Sequence, residues 1–196
     1  MRRNRSYLYA PGHDAERLAT AFDHGADVVV FDLEAGVPRD GRDAARGLVA
    51  DALRGRPAWV RINPAGTADG EVDLEAVAGL AAGLRLPIIC SIESAEGVLA
   101  APAIAAVPGV WALSLGSRDL TADLGCEDTY DELLSVRRQL VAACRAAGIL
   151  AVDSVYYTVA DLEGLRGAAD AARRLGFSGK STLWPEQVGV INEAFR

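Results

Sequence analysis

The sequence contains a single lysine, Lys180, among 20 basic residues. An enzyme that works through a Schiff base needs a lysine at the catalytic end of a strand. Lys180 stands at the start of the run GKSTLW, so we expect it to lie towards the opposite face. The sequence therefore favours metal-assisted enolate chemistry over imine chemistry.

Other features are also scarce. The three cysteines, Cys90, Cys126 and Cys144, form no close pair and no metal-type spacing, which is typical of reduced thiols in a cytoplasmic protein. No apolar run approaches the length of a membrane span or of a secretory signal. The net charge of −7 excludes a general attraction to nucleic acid or to an anionic membrane. We expect a soluble protein that acts on small molecules.

Short apolar runs alternate with longer stretches rich in Ala, Leu and Arg, a pattern typical of a parallel sheet covered by helices. Strands are predicted near residues 6–10, 27–33, 58–63, 87–92, 110–115, 149–153 and 179–183. Helices are predicted near 14–24, 39–54, 71–83, 95–106, 130–146, 160–175 and 186–195. No linker divides the 196 residues, so one domain over 1–196 is expected.

The arrangement of polar residues favours a barrel over a dinucleotide-binding sheet. The first strand leads into APGHDAER, which lacks the G-x-G-x-x-G spacing of the latter fold. Polar residues instead follow many different strands, as in a TIM-type barrel, whose site is built from all the βα loops at one face. A full barrel usually takes about 250 residues. We therefore predict an incomplete TIM-type α/β barrel with about seven βα units.

Carboxylates end several of the apolar runs: Asp32, Glu34, Glu93, Asp119 and Asp153. Glu93 follows five apolar or small residues directly, and a buried unpaired carboxylate at a barrel mouth would cost several kcal/mol. A hard cation such as Mg²⁺ removes that cost and takes one or two carboxylates. Glu93 and Asp119 follow consecutive strands, so they are the predicted metal pair.

The alternative for an acid after a strand is capping of the next helix. We expect that role for Asp73 and Asp161, and Asp119 could equally cap a short helix in SRDLTADLG. Arg61, at the end of WVR, could bind a carboxylate or a developing oxyanion with its guanidinium. A salt bridge from Arg61 to Asp32 or Glu34 is compatible with that role.

Seven segments in this order resemble the citrate lyase beta subunit-like branch of the HpcH/HpaI aldolase family: RSYLYAPG, ADVVVFDLEAGVPRDGRDAAR, VRINP, IESAEGV, SLGSRDLTADLG, AVDSVYYTVADLEGL and LGFSGKSTLWPEQVGVIN. The resemblance implies a TIM barrel that uses Mg²⁺ to cleave or form a carbon–carbon bond in malyl-, citramalyl- or citryl-type thioesters. It also implies a homo-oligomer.

Residue roles follow from the same resemblance. It implies that Glu93 and Asp119 bind the metal and that Arg61 binds the oxo or carboxylate group and stabilises the enolate. Asp32 and Glu34, in the position of the family's D-L-E-D motif, would support Arg61 and the metal's waters. Three further residues would lie near the carrier of the thioester: Pro11, Gly12 and Arg17. The resemblance implies a coenzyme A thioester as one candidate substrate.

The chain departs from the family pattern in three ways. Ala35 replaces the last acid of D-L-E-D, and one βα unit, about 30 residues, is missing between DLEAVAGLAAGL and RLPIICSIES. The sequence also ends at INEAFR, ahead of the family's C-terminal lid. Two alternatives to a lyase are therefore kept: an acyl-thioester hydrolase, and a weakly active or inactive relative that binds a carrier or a partner in a biosynthetic complex.

Overall fold

The computed structural model describes residues 4–64, 66–78 and 87–196. Within them, parallel strands form one curved sheet: β1 Ser6–Pro11, β2 Val28–Asp32, β3 Trp59–Arg61, β4 Ile88–Ile92, β5 Val110–Leu115, β6 Leu150–Asp153 and β7 Gly179–Thr182. The strand order is β3-β2-β1-β7-β6-β5-β4. These seven strands curl into a half-barrel, which confirms the predicted incomplete TIM-type fold.

Helices lie between the strands and cover the outside of the sheet: α1 Ala15–Thr20, α2 Arg42–Gly55, α3 Ala68–Ala78, α4 Ala95–Ala105, α5 Ser117–Leu124, α6 Leu134–Ala147, α7 Leu162–Leu175 and α8 Pro185–Ala194. Short 3₁₀ turns occupy Ala21–His24 and Arg39–Gly41. Every predicted strand agrees with the structure within two residues at each end. Positions 79–83 of the helix predicted near 71–83 lie outside the described residues. No described helix has both the length and the apolar character needed to cross a bilayer.

Two layers of apolar side chains hold the half-barrel together. Inside the curve, the Trp59 and Trp111 rings stack with centroids 4.9 Å apart, and Tyr7 lies 6.4 Å from Trp111. Outside, buried residues of the strands pack against the helices in two clusters, one around β4–β6 and one around β1–β2. The polar ends of the strands are thereby left as a separate layer above the aromatic one.

The side chain of Lys180 points outwards, a direction that the sequence did not predict, while its alignment with Ser6 at the start of β1 agrees with the expected position towards the opposite face. Lys180 is the second residue of β7 and is aligned with Asp153 at the end of β6. Val152 packs inside the barrel, so the next side chain, Asp153, points outwards to the helices. There it accepts bonds from Lys180 Nζ at 2.6 Å and from Arg137 Nε of α6 at 3.0 Å. Asp153 is therefore not part of the barrel mouth.

Candidate active site at the carboxyl ends of the strands

Arg61 ends β3 and lies beside Asp32, which ends β2, because the two strands pair in register. Its Nε and Nη2 donate to the two oxygens of Asp32 at 2.8 and 2.6 Å. The backbone N–H groups of Glu34 and Gly36 donate to the same carboxylate at 3.0 and 3.1 Å. The salt bridge that the sequence allowed is present, and four donors fix Asp32 beneath the guanidinium.

The remaining surroundings of Arg61 keep it charged and in place. Glu34 Oε2 is 3.2 Å from Arg61 Nη1, and the guanidinium carbon lies 5.0 Å from the centre of the Tyr9 ring. Burial opposes the positive charge, but the bonds to Asp32 outweigh it and raise the pKa of Arg61. The side chain is therefore a permanent cation whose position is set from three sides.

Glu34 connects this pair to the two predicted metal ligands. Burial raises the pKa of Glu34, Arg61 opposes that shift, and the charges of Glu93, Asp32 and Asp119 raise it further. The charges of these three carboxylates therefore reach Glu34 at one end of the barrel. Four carboxylates accompany the guanidinium of Arg61 in this set, which leaves an excess of negative charge.

Glu93 follows β4 directly and is held by its neighbours. Ser91, two residues earlier on the same face of the strand, donates its hydroxyl to Glu93 Oε1 at 2.6 Å. The Glu93 side chain also packs on Gly116, where a Cβ atom would lie only 2.3 Å from Glu93 Cγ. Gly116 is the residue before α5. The end of β4 is thus in contact with the turn that carries Asp119.

Asp119 lies in the first turn of α5, and its side chain is exposed. The N-cap position of that helix is Gly116, so the short helix exists but Asp119 does not cap it. A carboxylate in the first turn is favoured by the helix dipole. Asp119 is therefore accessible to a ligand, three residues after the glycine that Glu93 contacts.

The two expected caps have different outcomes. Asp161 caps α7 as predicted and accepts the backbone N–H of Gly164 at 2.8 Å. The prediction for Asp73 is wrong, because α3 begins at Ala68 and Asp73 lies inside it, fully buried. Asp73 accepts bonds from Arg46 Nε at 2.6 Å and from the Asn63 backbone N–H at 2.9 Å. It ties α2 and α3 to the loop after β3.

The three residues assigned to a thioester carrier lie on the β1 side of the mouth. Pro11 ends β1 opposite Asp32, and the Gly12 N–H donates to the Asp32 carbonyl at 2.7 Å. A Cβ atom on Gly12 would lie 2.7 Å from that oxygen, so the close approach requires glycine. Arg17, on α1, donates to the carbonyl of Leu183 beyond β7. Arg17 is half-buried.

Sequence reasoning missed several residues that shape the site. Tyr9, Ser91 and Gly116 contact Arg61 or Glu93, and Arg118 lies 4.0 Å over the ring of Tyr157 at the rim. Alternation along a strand could have indicated Ser91, since it shares a face with Glu93. The others come from distant elements, so local spacing carries no signal for them.

The donor set fits a hard divalent cation. Glu93 and Asp119 offer carboxylate oxygens, and the excess negative charge around Glu34 favours a cation at this end of the barrel. In the part of the chain that the structure describes, no three His, Cys, Asp or Glu side chains form a metal-binding group. Mg²⁺ needs only one or two carboxylates beside water and ligand oxygens. The residues present are therefore compatible with Mg²⁺.

The sequence model of the HpcH/HpaI aldolase/citrate lyase family matches residues 5–89 and 85–185. The chain belongs to this family. The two matched segments meet at 85–89, next to the position where the sequence analysis places the missing βα unit. The family match and the seven strands found in the described residues therefore both agree with a shortened barrel.

Curated relatives match nearly the whole chain. A (3S)-malyl-CoA thioesterase of Cereibacter sphaeroides is 34% identical over 219 aligned residues, covering 97% of this chain and 76% of the relative. A citrate lyase subunit beta-like protein of Mycobacterium tuberculosis is 35% identical over 214 residues, covering 97% of this chain and 78% of the relative. The family therefore includes proteins named as hydrolases and proteins named after a lyase.

A solved relative shares the fold closely. The citrate lyase beta subunit of M. tuberculosis complexed with oxaloacetate and magnesium has a TM-score of 0.89 and 33% identity, covering 99% of this chain and 97% of that one. A structure of the M. tuberculosis protein CitE, with magnesium, acetoacetate and coenzyme A, also has a TM-score of 0.89, with 33% identity, 99% coverage of this chain and 81% of that one.

Proposed function

We propose that this chain is a Mg²⁺-dependent carbon–carbon lyase that cleaves or forms a bond in a malyl-, citramalyl- or citryl-type acyl thioester or a 2-oxoacid aldol. The observation that carries the proposal is the Arg61 guanidinium, fixed by Asp32 and next to Glu34, whose carboxylate also senses the charges of Glu93 and Asp119. Magnesium complexes of a relative with oxaloacetate, and with acetoacetate and coenzyme A, support it. Cleavage of such a bond leaves an enolate, whose negative charge needs a fixed cation.

Arg61 is the residue of this chain that meets that need. Its guanidinium presents more donors than Asp32 and Glu34 use, so N–H groups remain for a carboxylate or an enolate oxygen of the substrate. Asp32 holds the plane of the guanidinium and acts as a positioning residue. Glu34, with its raised pKa, lies where it can exchange a proton with a substrate held by Arg61.

Glu93 and Asp119 are the residues that would hold Mg²⁺. When bound, the ion supplies positive charge next to the oxygen that becomes negative during bond cleavage. Ser91 and Gly116 keep Glu93 in one orientation before any ion binds. Pro11, Gly12 and Arg17 would face the thioester carrier, with coenzyme A as the proposed group.

The test of the metal site is calorimetric titration with Mg²⁺. Wild type should bind one ion per chain, and Glu93→Ala should weaken binding at least about tenfold because one of the two carboxylates is lost. Glu96→Ala, which removes an exposed acid in the first turn of α4, is the matched control and should bind like wild type. Wild type without saturable Mg²⁺ binding would exclude the proposed lyase.

The second candidate, an acyl-thioester hydrolase, is favoured by the relatives named (3S)-malyl-CoA thioesterase. Mass spectrometry of candidate thioesters and 2-oxoacids incubated with the protein separates the two activities. A lyase splits the carbon skeleton, whereas a hydrolase releases the intact acid and free thiol. No conversion together with normal Mg²⁺ binding would favour the weakly active relative that binds a carrier or partner.

A further inference from the structure

A second cavity lies outside the barrel wall. It has a volume of about 380 Å³ and opens between α6, α7 and the segment 154–158 that follows β6. We call it the α6–α7 cavity; its polar lining includes Arg118, Arg137, Ser154, Tyr156, Tyr157 and Lys180. The volume is within the range of small-molecule sites, about 300–1,000 Å³.

The inner wall of the α6–α7 cavity carries an excess of positive charge. Lys180 and Arg137 are 2% and 4% exposed, and they share one carboxylate, Asp153, which is fully buried. The Tyr130 ring lies 4.6 Å from the Arg137 guanidinium carbon and offsets part of this charge. Two buried cations with one carboxylate are costly without a further counter-charge.

Both cations keep donors for a ligand. An ammonium group has three N–H groups and a guanidinium has five. Lys180 uses one bond, to Asp153, and Arg137 uses one each to Asp153, Ser154 and the Tyr130 carbonyl, the last at 3.4 Å. Donors therefore remain at the wall of the α6–α7 cavity, next to the Ser154 hydroxyl.

The outer rim adds a third cation. Arg118 is exposed, and its guanidinium carbon lies 4.0 Å from the centre of the Tyr157 ring. The ring covers one face of the guanidinium, so the N–H groups, which lie in the guanidinium plane, stay available for hydrogen bonds. Asp128 also lines the rim, and it accepts the hydroxyl of Ser117 at 3.0 Å. Three cations against Asp128 and Asp153 still leave one positive charge, in a chain whose net charge is −7.

We propose that the α6–α7 cavity binds a small oxyanion, a phosphate or a carboxylate group, between Arg118 at the rim and the Arg137–Lys180 pair at the wall. Arginine donates to phosphate and to carboxylate oxygens in the same forked geometry, so the same donors can bind either group. This site adjoins the proposed active site, since Arg118 precedes Asp119 on α5 and the charges of Asp119 and Arg61 act on Tyr157. Its lining nevertheless includes neither Glu93 nor Asp119, so it does not depend on bound Mg²⁺.

Calorimetric titration of the whole chain in metal-free Tris buffer tests the proposal, with inorganic phosphate and succinate as the two probes. We expect saturable 1:1 binding of phosphate or of succinate. The probe that binds more tightly shows whether the cavity prefers a phosphate or a carboxylate group. Arg118→Gln should weaken binding about tenfold or more, since a charge-assisted hydrogen bond is lost at an exposed position where folding is unaffected.

Two variants make the result specific. Arg138→Gln removes an exposed arginine next to Arg137 on α6 and should bind the probe like wild type. Glu93→Ala should also bind like wild type, because Glu93 does not line the α6–α7 cavity. The proposal is overturned if neither probe saturates, if Arg118→Gln and Arg138→Gln weaken binding equally, or if Glu93→Ala abolishes it. None of these results depends on lyase activity.

Discussion

At the scale of single residues, Gly116 shows how tightly Glu93 is packed. An added Cβ would lie 2.3 Å from Glu93 Cγ and 2.5 Å from Oε1, distances that force the glutamate to move. The backbone at Gly116 has φ of −96°, which alanine adopts freely. We therefore expect Gly116→Ala to weaken Mg²⁺ binding about 10- to 100-fold in calorimetry, as for other groups that orient a ligand.

Gly189→Ala is the matched control for that experiment. A Cβ at this position in α8 meets nothing within 4 Å. The control should keep wild-type Mg²⁺ affinity and gain about 0.5–1 kcal/mol of stability from helix propensity. If Gly116→Ala binds Mg²⁺ as tightly as wild type, the fixed orientation of Glu93 has no part in metal binding.

Side-chain direction separates what the sequence could predict at this scale from what it could not. Arg61 and Asp32 could be placed together, because the carboxyl ends of neighbouring parallel strands meet at one edge. The outward direction of the Asp153 and Lys180 side chains could not be predicted. Strands buried on both faces are apolar throughout, so their sequences do not show which residues point inwards and which point outwards. Only the packing of Val152 inside the barrel reveals it.

At the scale of elements, Asp153 joins β6 to β7 and α6 through its bonds to Lys180 and Arg137. Asp153→Asn leaves two buried cations without a carboxylate. Removing one partner of a buried ion pair costs about 3–5 kcal/mol. We expect a decrease of that size in the free energy of unfolding at pH 7, measured by urea denaturation followed by circular dichroism.

The pH dependence of that decrease is a further part of the same prediction. Burial alone would raise the pKa of Asp153, but Lys180 and Arg137 outweigh it and hold the pKa below its usual value. The stabilisation is therefore complete above the unfolded pKa of about 3.9 and is lost as the pH falls through the folded pKa. The difference in the free energy of unfolding between wild type and Asp153→Asn should shrink below about pH 4. A difference that widens there would contradict the role of ionised Asp153 in holding the two cations. Asp170→Asn, which breaks only an exposed pair with Arg173, should cost less than about 1 kcal/mol.

Elements with strong local patterns were predictable, and those fixed by tertiary contacts were not. The apolar runs gave all strands within two residues, because burial on both faces requires them to be continuous. The eight-residue helix α5 was expected only as an alternative and was missing from the predicted helices, since SRDLTADL has few apolar residues. Asp73 looked like a cap, and only the buried contact with Arg46 shows that it lies inside α3.

At the scale of the molecule, the half-barrel has two outer strands. In the described residues β3 and β4 each pair on one side only, and the chain between them passes through α3. Ile88 on β4 is 49% exposed and Leu99 on α4 is 82% exposed, both unusual for large apolar side chains. An exposed strand edge beside apolar side chains is a surface that another chain tends to cover.

Association of copies of this chain through that edge stays a prediction, and light scattering after size exclusion tests it. Wild type should have the mass of a dimer or larger, because the edge and the side chains of Ile88 and Leu99 are then removed from water. Leu99→Arg should shift the mass to the monomer, 20.6 kDa. Leu162→Arg, at an equally apolar but 42% exposed position on α7, should leave the mass unchanged. The prediction is contradicted if wild type is a monomer, or if Leu99→Arg and Leu162→Arg both become monomers.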